Sequence, residues 1–392
     1  MPMLAAEAPP LWRSGLSGLS ATLVGVGLAR FAYGPLLPAM VVAGWATPAG
    51  AAFIGAANLA GYLLGAMTAR RLASQVAPAT LIRGMLALAS LAFFACSVDL
   101  GAGWLSAWRF AAGVAGAVLV VLAPPQVLAV APPERRGLLG GVIFTGVGVG
   151  VVVSATIVPS LIGQGLPAAW LALGVASTLV AAIGWNGWPT GGRLPPVPPP
   201  RAGEARMPPA VPALLAVYGL NALGLVPHMV FLVDFVARGL GAGVAAGGWS
   251  WVAFGLGALA GPLAAGRLAD LVGFARSIRI ALALELAAVA LPLLSHALPA
   301  LMVSAAVAGA FTPGIVPLVL GRVQELVPID ERTRAWGWAT ISFAAAQAIA
   351  AYGLSAVFAV TGSHLPLFGI GAASLVLALA IDIAADPARR RG

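Results

Sequence analysis

Twelve stretches of roughly 20 or more mostly apolar residues follow one another along this chain, and that recurrence limits the fold more than any single motif does. A helix needs about 20 such residues to cross a bilayer, because the hydrocarbon core is about 30 Å thick and each residue rises about 1.5 Å. Candidate spans fall at 15–41, 50–69, 79–100, 104–130, 137–162, 167–188, 211–237, 245–266, 277–295, 298–322, 335–360 and 365–383. Hydrophobic residues make up 60% of the 392 positions, far more apolar surface than a water-soluble core of this length would hide, so the excess is expected to face lipid. The first run has one arginine before it, Arg13, and no small-residue cleavage site after it, so it reads as a retained span and not as a signal peptide. The lone cysteine, Cys96, lies inside an apolar run and reads as a small buried hydrophobe.

The chain also repeats itself. Residues 70–77 line up with 266–273 at an offset of 196; the match continues to Ile82-Arg83 against Ile278-Arg279, and upstream it sets Gly61 and Gly65 on Gly257 and Gly261. At an offset of 197, Gly27-Leu28 corresponds to Gly224-Leu225, and Pro133-Glu134-Arg135 to Asp330-Glu331-Arg332. Two six-helix halves are therefore expected, at 1–188 and 211–392, related by an axis along the membrane normal. Between them, residues 189–210 hold runs such as Pro198-Pro199-Pro200 that cannot pack into a helix bundle, so this stretch reads as a cytoplasmic linker.

All 21 basic residues are arginines, against 12 acids. They sit singly or in pairs between apolar runs and form no single basic face, so no nucleic-acid partner is expected. With the N-terminus inside, one side collects Arg13, Arg70, Arg71, Arg83, Arg135, Arg136, Arg193, Arg201, Arg206, Arg267, Arg276, Arg279, Arg332, Arg334 and Arg389 to Arg391. The other side carries little beyond Asp99, Asp234, Arg238 and His364. That asymmetry puts both termini in the cytoplasm of a multi-pass inner-membrane protein. The arginine-only basic complement, with abundant Ala, Gly and Pro, hints at a GC-rich bacterial source.

The charged stretch Gly266-Arg267-Leu268-Ala269-Asp270, with Gly273 and Arg276 following, reads as a hinge between two apolar runs. With twelve spans, two halves and a central linker, it resembles the major facilitator superfamily, whose signature between helices 2 and 3, or 8 and 9, is G-x-L-a-D-x-x-G-x-x-R. Arg109-Phe110-Ala111-Ala112-Gly113 is similar to a second motif of that family, with Ala112 where a polar residue is usual. Within the superfamily, residues 27–38 (Gly-Leu-Ala-Arg-Phe-Ala-Tyr-Gly-Pro-Leu-Leu-Pro) and 312–317 (Thr-Pro-Gly-Ile-Val-Pro) look like the YbfB/YjiJ group of bacterial transporters. The resemblance implies an all-α membrane protein with twelve transmembrane helices in two pseudo-symmetric halves that rock around a midplane site. In the N-half copy of the signature, Arg70 and Ser74 replace the glycine and the acid, so that gate looks degraded. The fifth run has Gly146, Gly148 and Gly150 but no Gly-Pro pair, which leaves antiport unsupported.

A carboxylate at the end of the eighth helix suits the N-terminus of another helix, where unpaired N–H groups and the macrodipole favour negative charge. The resemblance implies the fifth helix, near Gly137, as that partner, with Gly266, Arg267, Asp270, Gly273 and Arg276 as gating residues. An ordinary ion pair of Asp270 with Arg267 or Arg276 is the alternative.

Charges at membrane depth are costly and tend to face a cavity or a partner. In the implied fold helices 1, 4, 7 and 10 line the cavity, so Arg30 and Arg109 are candidates to bind an anion, with backbone pairing or snorkelling as the plain alternatives. Asn221 and His228, seven apart in one helix, share a face and are their expected counterpart. His228 is a candidate for a coupling proton. Glu285, near mid-depth of a helix that the fold makes peripheral, is either a proton site or half of a structural pair. Tyr33, Thr312 and Gln347 are further cavity candidates, alongside Asn58 and Gln126. Asp234 and Arg238 are spaced to pair with each other. Prolines 35, 38, 124, 125, 227, 313 and 317 concentrate in the same four helices and are expected to bend them.

The three histidines are far apart in sequence and no metal-ligand spacing or nucleophile with a base is present, so neither enzyme chemistry nor a cofactor or metal is expected. The expected function is secondary transport, as a monomer in the lipid bilayer, of a small organic anion or amphiphile, with proton coupling as an option. Efflux of hydrophobic compounds, a non-transporting receptor and a membrane enzyme are the alternatives.

Overall fold

A computed structural model describes residues 9–189, 192–194, 208 and 210–385. Most of the expected linker, with Arg201 and Arg206, and the C-terminal arginines Arg389 to Arg391 lie outside the described residues.

The described chain is almost wholly helical and separates into two units, Met1–Arg201 and Ala202–Gly392. Unit 1 holds α1 (residues 11–42), α2 (Pro48–Gln75), α3 (Pro78–Ala95), α4 (Ala102–Ala129), α5 (Arg136–Ile162) and α6 (Leu166–Ile183). Unit 2 holds α7 (Ala210–Gly239), α8 (Gly243–Val272), α9 (Phe274–Leu294), α10 (Leu298–Leu326), α11 (Arg332–Thr361) and α12 (Leu365–Ala384). Eleven of these among the described residues are long and apolar enough to cross a membrane; α2, at 28 residues, is the other long helix. Prolines open several of them, where a missing N–H costs nothing. Pro48 starts α2 behind Thr47, whose hydroxyl accepts from Gly50 N at 3.1 Å as a cap.

The internal repeat reappears as packing. In unit 1, α2 lies on α4, α1 on α5 and α3 on α6; in unit 2, α8 lies on α10, α7 on α11 and α9 on α12. At the first of these crossings, a Cβ on Gly61 would meet the carbonyl of Phe110, one on Gly65 that of Val114, and one on Gly113 that of Asn58. The same clashes recur for Gly257 with Ala306, Gly261 with Ala310 and Gly309 with Phe254, each 196 residues on. Small residues let two backbones touch, which is how helices gain contact in lipid, where apolar side chains gain little by leaving the hydrocarbon.

One expectation about local structure is corrected. The charged stretch at 266–276 is not an open hinge: α8 continues to Val272, so Arg267 and Asp270 belong to its last turns, and Gly273 alone breaks it, with φ of 85°. Likewise α2 runs on to Gln75 and includes Arg70 and Arg71. The four proline-bearing helices differ in their local form. α4 and α10 stay α-helical through Pro124, Pro125, Pro313 and Pro317, whereas α1 and α7 widen at Leu23–Phe31, Pro227–Phe231 and Phe235–Gly239. In the last of these Leu240 N reaches back five residues to Phe235 O at 2.8 Å.

Candidate functional site

The polar groups at membrane depth gather in two clusters, one inside each unit. In unit 1 the widened stretch of α1 turns the Ala29 carbonyl toward α4, where Arg109 Nη1 donates to it at 2.5 Å. The Arg109 guanidinium sits 4.5 Å from the centre of the Tyr33 ring, a cation–π contact, and the residue is 3% exposed. Its Nε has no hydrogen-bond partner. Tyr33 is itself fixed, its hydroxyl donating to Ala51 O at 2.6 Å, and Asn58 Nδ2 donates to Arg109 O at 3.0 Å. Behind them Tyr33 and Phe93 pack on Trp170. Arg30 is half-buried, with its guanidinium 5.9 Å from the Phe31 ring and 6.0 Å from that of Tyr62. Within unit 1 the described acids are Asp99 and Glu134, and neither lies within the six long helices. Arg109 therefore does not snorkel to an interface; it is held by a carbonyl and an aromatic face.

In unit 2 the cluster is acidic and neutral. Asn221 Nδ2 on α7 donates to Glu285 Oε2 on α9, and both residues are fully buried. Asn221 Oδ1 and Glu285 Oε1 have no hydrogen-bond partner. Glu285 thus faces into its bundle. His228 does not share a partner with Asn221. Regular helix runs from Asn221 to Val226, and the wider turns begin at Pro227. His228 Nε2 is instead 2.7 Å from Ser304 Oγ on α10, and that hydroxyl donates to Ala288 O on α9 at 2.7 Å. Ser304 and Tyr62 carried no sequence signal, since an isolated Ser or Tyr in an apolar run looks like ordinary helix filling.

The other candidates make contacts of their own. Thr312 Oγ1 donates back to Ala308 O at 2.9 Å, and Gln347 Nε2 lies 3.4 Å from Met229 Sδ. Asp234 pairs with Arg238 as its spacing implied, and also accepts from His364 Nε2 at 2.8 Å, which ties the end of α7 to the start of α12.

Residues 22–383 match the family described as the uncharacterised MFS-type transporter YbfB. The chain belongs to that family. It is accordingly a multi-pass membrane carrier of the major facilitator type and not an enzyme. No curated protein matches the sequence. Among solved structures, the human organic anion transporter MFSD10 is similar to this transporter with TM-score 0.77 and 16% identity, covering 95% of this chain and 100% of the other. A bacterial homologue of the iron transporter ferroportin, in an outward-facing state, has TM-score 0.71 and 14% identity, covering 96% and 99%. The proton:xylose symporter XylE has TM-score 0.70 and 14% identity, covering 94% of each chain.

Proposed function

We propose that this transporter carries a small organic anion by alternating access, with Arg109 as the group that grips it and Arg30 as a second positive charge. The solutes named for the similar structures, organic anions, iron and xylose, differ among themselves, so the fold leaves the solute open and the residues decide. The observation that carries the reading is Arg109, a buried guanidinium whose Nε is without a partner. Nε lies on the edge of the guanidinium that carboxylates engage bidentately, while Nη1 is already anchored on Ala29 O. Tyr33 covers the cation here, so binding requires the ring to move aside. Tyr62, which faces Arg30, joins Tyr33 as a lining residue, and Thr312 and Gln347 are assigned to solute contact in unit 2.

Glu285 with Asn221 is the better proton site and His228 with Ser304 the second, which moves Asn221 from solute binding to positioning the carboxyl. Gly266, Arg267, Asp270, Gly273 and Arg276 are assigned to gating on their sequence pattern. The arginine asymmetry supports a bacterial inner-membrane location with cytoplasmic termini, and the protein is taken to act as a monomer.

The test is a thermal-shift screen of the purified protein against organic acids and their uncharged amides, followed by flux in proteoliposomes. A ligand of the folded state raises its stability. An acid is expected to stabilise the protein and its amide not to, and Arg109→Gln should weaken the acid about tenfold or more, since a hydrogen bond to a charged group is worth about 1.5–3 kcal/mol. Undiminished affinity in Arg109→Gln would sink the anion reading. Stabilisation by apolar compounds alone would favour efflux of hydrophobic solutes.

A further inference from the structure

Away from both polar clusters, α3 and α6 leave a groove of about 500 Å³ on unit 1. Small residues open it, chiefly Ala87, Ser90 and Ala182, with Leu91 along one wall, Phe94 at one end and Trp185 at the other. At the Phe94 end that ring packs on Gly174. At the Trp185 end stands Arg83, one helical turn before Ala87 and on the same face. Its Nε donates to Trp185 O at 2.9 Å and its guanidinium lies 5.9 Å from the Trp185 ring, so the cation is held at the mouth. Among the described residues Arg83 makes no ion pair, and Asp99 follows the opposite end of α3.

The dimensions and charges agree with one occupant. From Arg83 to Phe94 is eleven residues of helix, about 16 Å at about 1.5 Å per residue, which is one leaflet of a hydrocarbon core about 30 Å thick. A tryptophan beside an arginine marks the headgroup level, and Arg83 belongs to the arginine-rich side of the chain. We propose that this groove is a binding site for an anionic phospholipid of that leaflet, one acyl chain lying along Ala87, Ser90 and Ala182 and the phosphate on Arg83. The site is independent of what the carrier transports.

Native mass spectrometry of the purified full-length protein, with phosphatidylglycerol or chain-matched phosphatidylcholine added, reads the proposal directly. Phosphatidylglycerol should remain bound and phosphatidylcholine should not. Arg83→Ala should lower the bound fraction at least tenfold. Ala182→Trp, which fills the groove and keeps Arg83, should do the same, whereas Leu179→Trp on the exposed face of α6 should not. Soluble glycerol phosphate should not compete. Equal retention of the two lipids, or wild-type retention in Arg83→Ala or Ala182→Trp, would overturn the site. So would competition by glycerol phosphate, which would make it a free-anion site, or a crosslink from the mouth to residues 195–207, which would make the chain itself the occupant.

Discussion

Replacing Asn221 by leucine gives the sharpest test of the unit 2 cluster. Leucine keeps the heavy-atom count and the branching at Cγ but is bulkier, so the change removes the amide that donates to Glu285 and adds some crowding that the double-mutant cycle cancels. Glu285 is fully buried and its Oε1 already has no partner, so in Asn221→Leu neither carboxyl oxygen retains a partner at that depth. Stranding a buried polar group costs about 1–3 kcal/mol, and more when it is charged. Replacing both partners by apolar groups of similar shape can be nearly neutral. The single variant should therefore lose about 1–3 kcal/mol, and Asn221→Leu with Glu285→Met should recover most of it. The assay is reversible unfolding of the purified protein in mixed detergent, run as a double-mutant cycle with Glu285→Met alone as the fourth corner. Strict additivity would mean that the two side chains do not share a hydrogen bond in the folded carrier, and the proton-site reading would fall with it. Flux in proteoliposomes adds the functional arm: Glu285→Gln keeps an amide partner for Asn221 but carries no titratable proton, so solute movement should survive while dependence on a pH gradient disappears.

Gly257→Ala should cost about 1–3 kcal/mol, because its Cβ would press on the Ala306 carbonyl and force α8 from α10, whereas Gly353→Ala, in open space on α11, should be neutral or gain about 0.5–1 kcal/mol; detergent unfolding separates them. His364→Ala, which removes the buried donor to Asp234, should destabilise unit 2 by about 1.5–3 kcal/mol. Arg238→Ala should leave the unfolding midpoint unchanged within error, since its side chain is 75% exposed. Asp270→Asn is expected to shift the balance of open states, read as altered labelling of single cysteines placed on the arginine-rich side; unchanged labelling would remove Asp270 from the gate.

What the linear chain determined was whatever depends on local composition and on duplication. Apolar runs of membrane length fixed where helices form, since any backbone amide in hydrocarbon must be bonded within its own helix or barrel. The offset of 196 predicted the paired crossings of Gly61 and Gly257, because a glycine at a backbone contact cannot be exchanged for a residue with a Cβ. The pairing of Asp234 with Arg238 was legible too, being one helical turn. Tertiary structure decided which buried polar groups meet. Arg109 donates to Ala29 O beside Tyr33, Asn221 to Glu285 on α9, and His228 meets Ser304 on α10. The physical reason is that each partner lies on another helix far along the chain, so only packing brings the two together; the widened turns of α1 and α7 include Ala29 and His228.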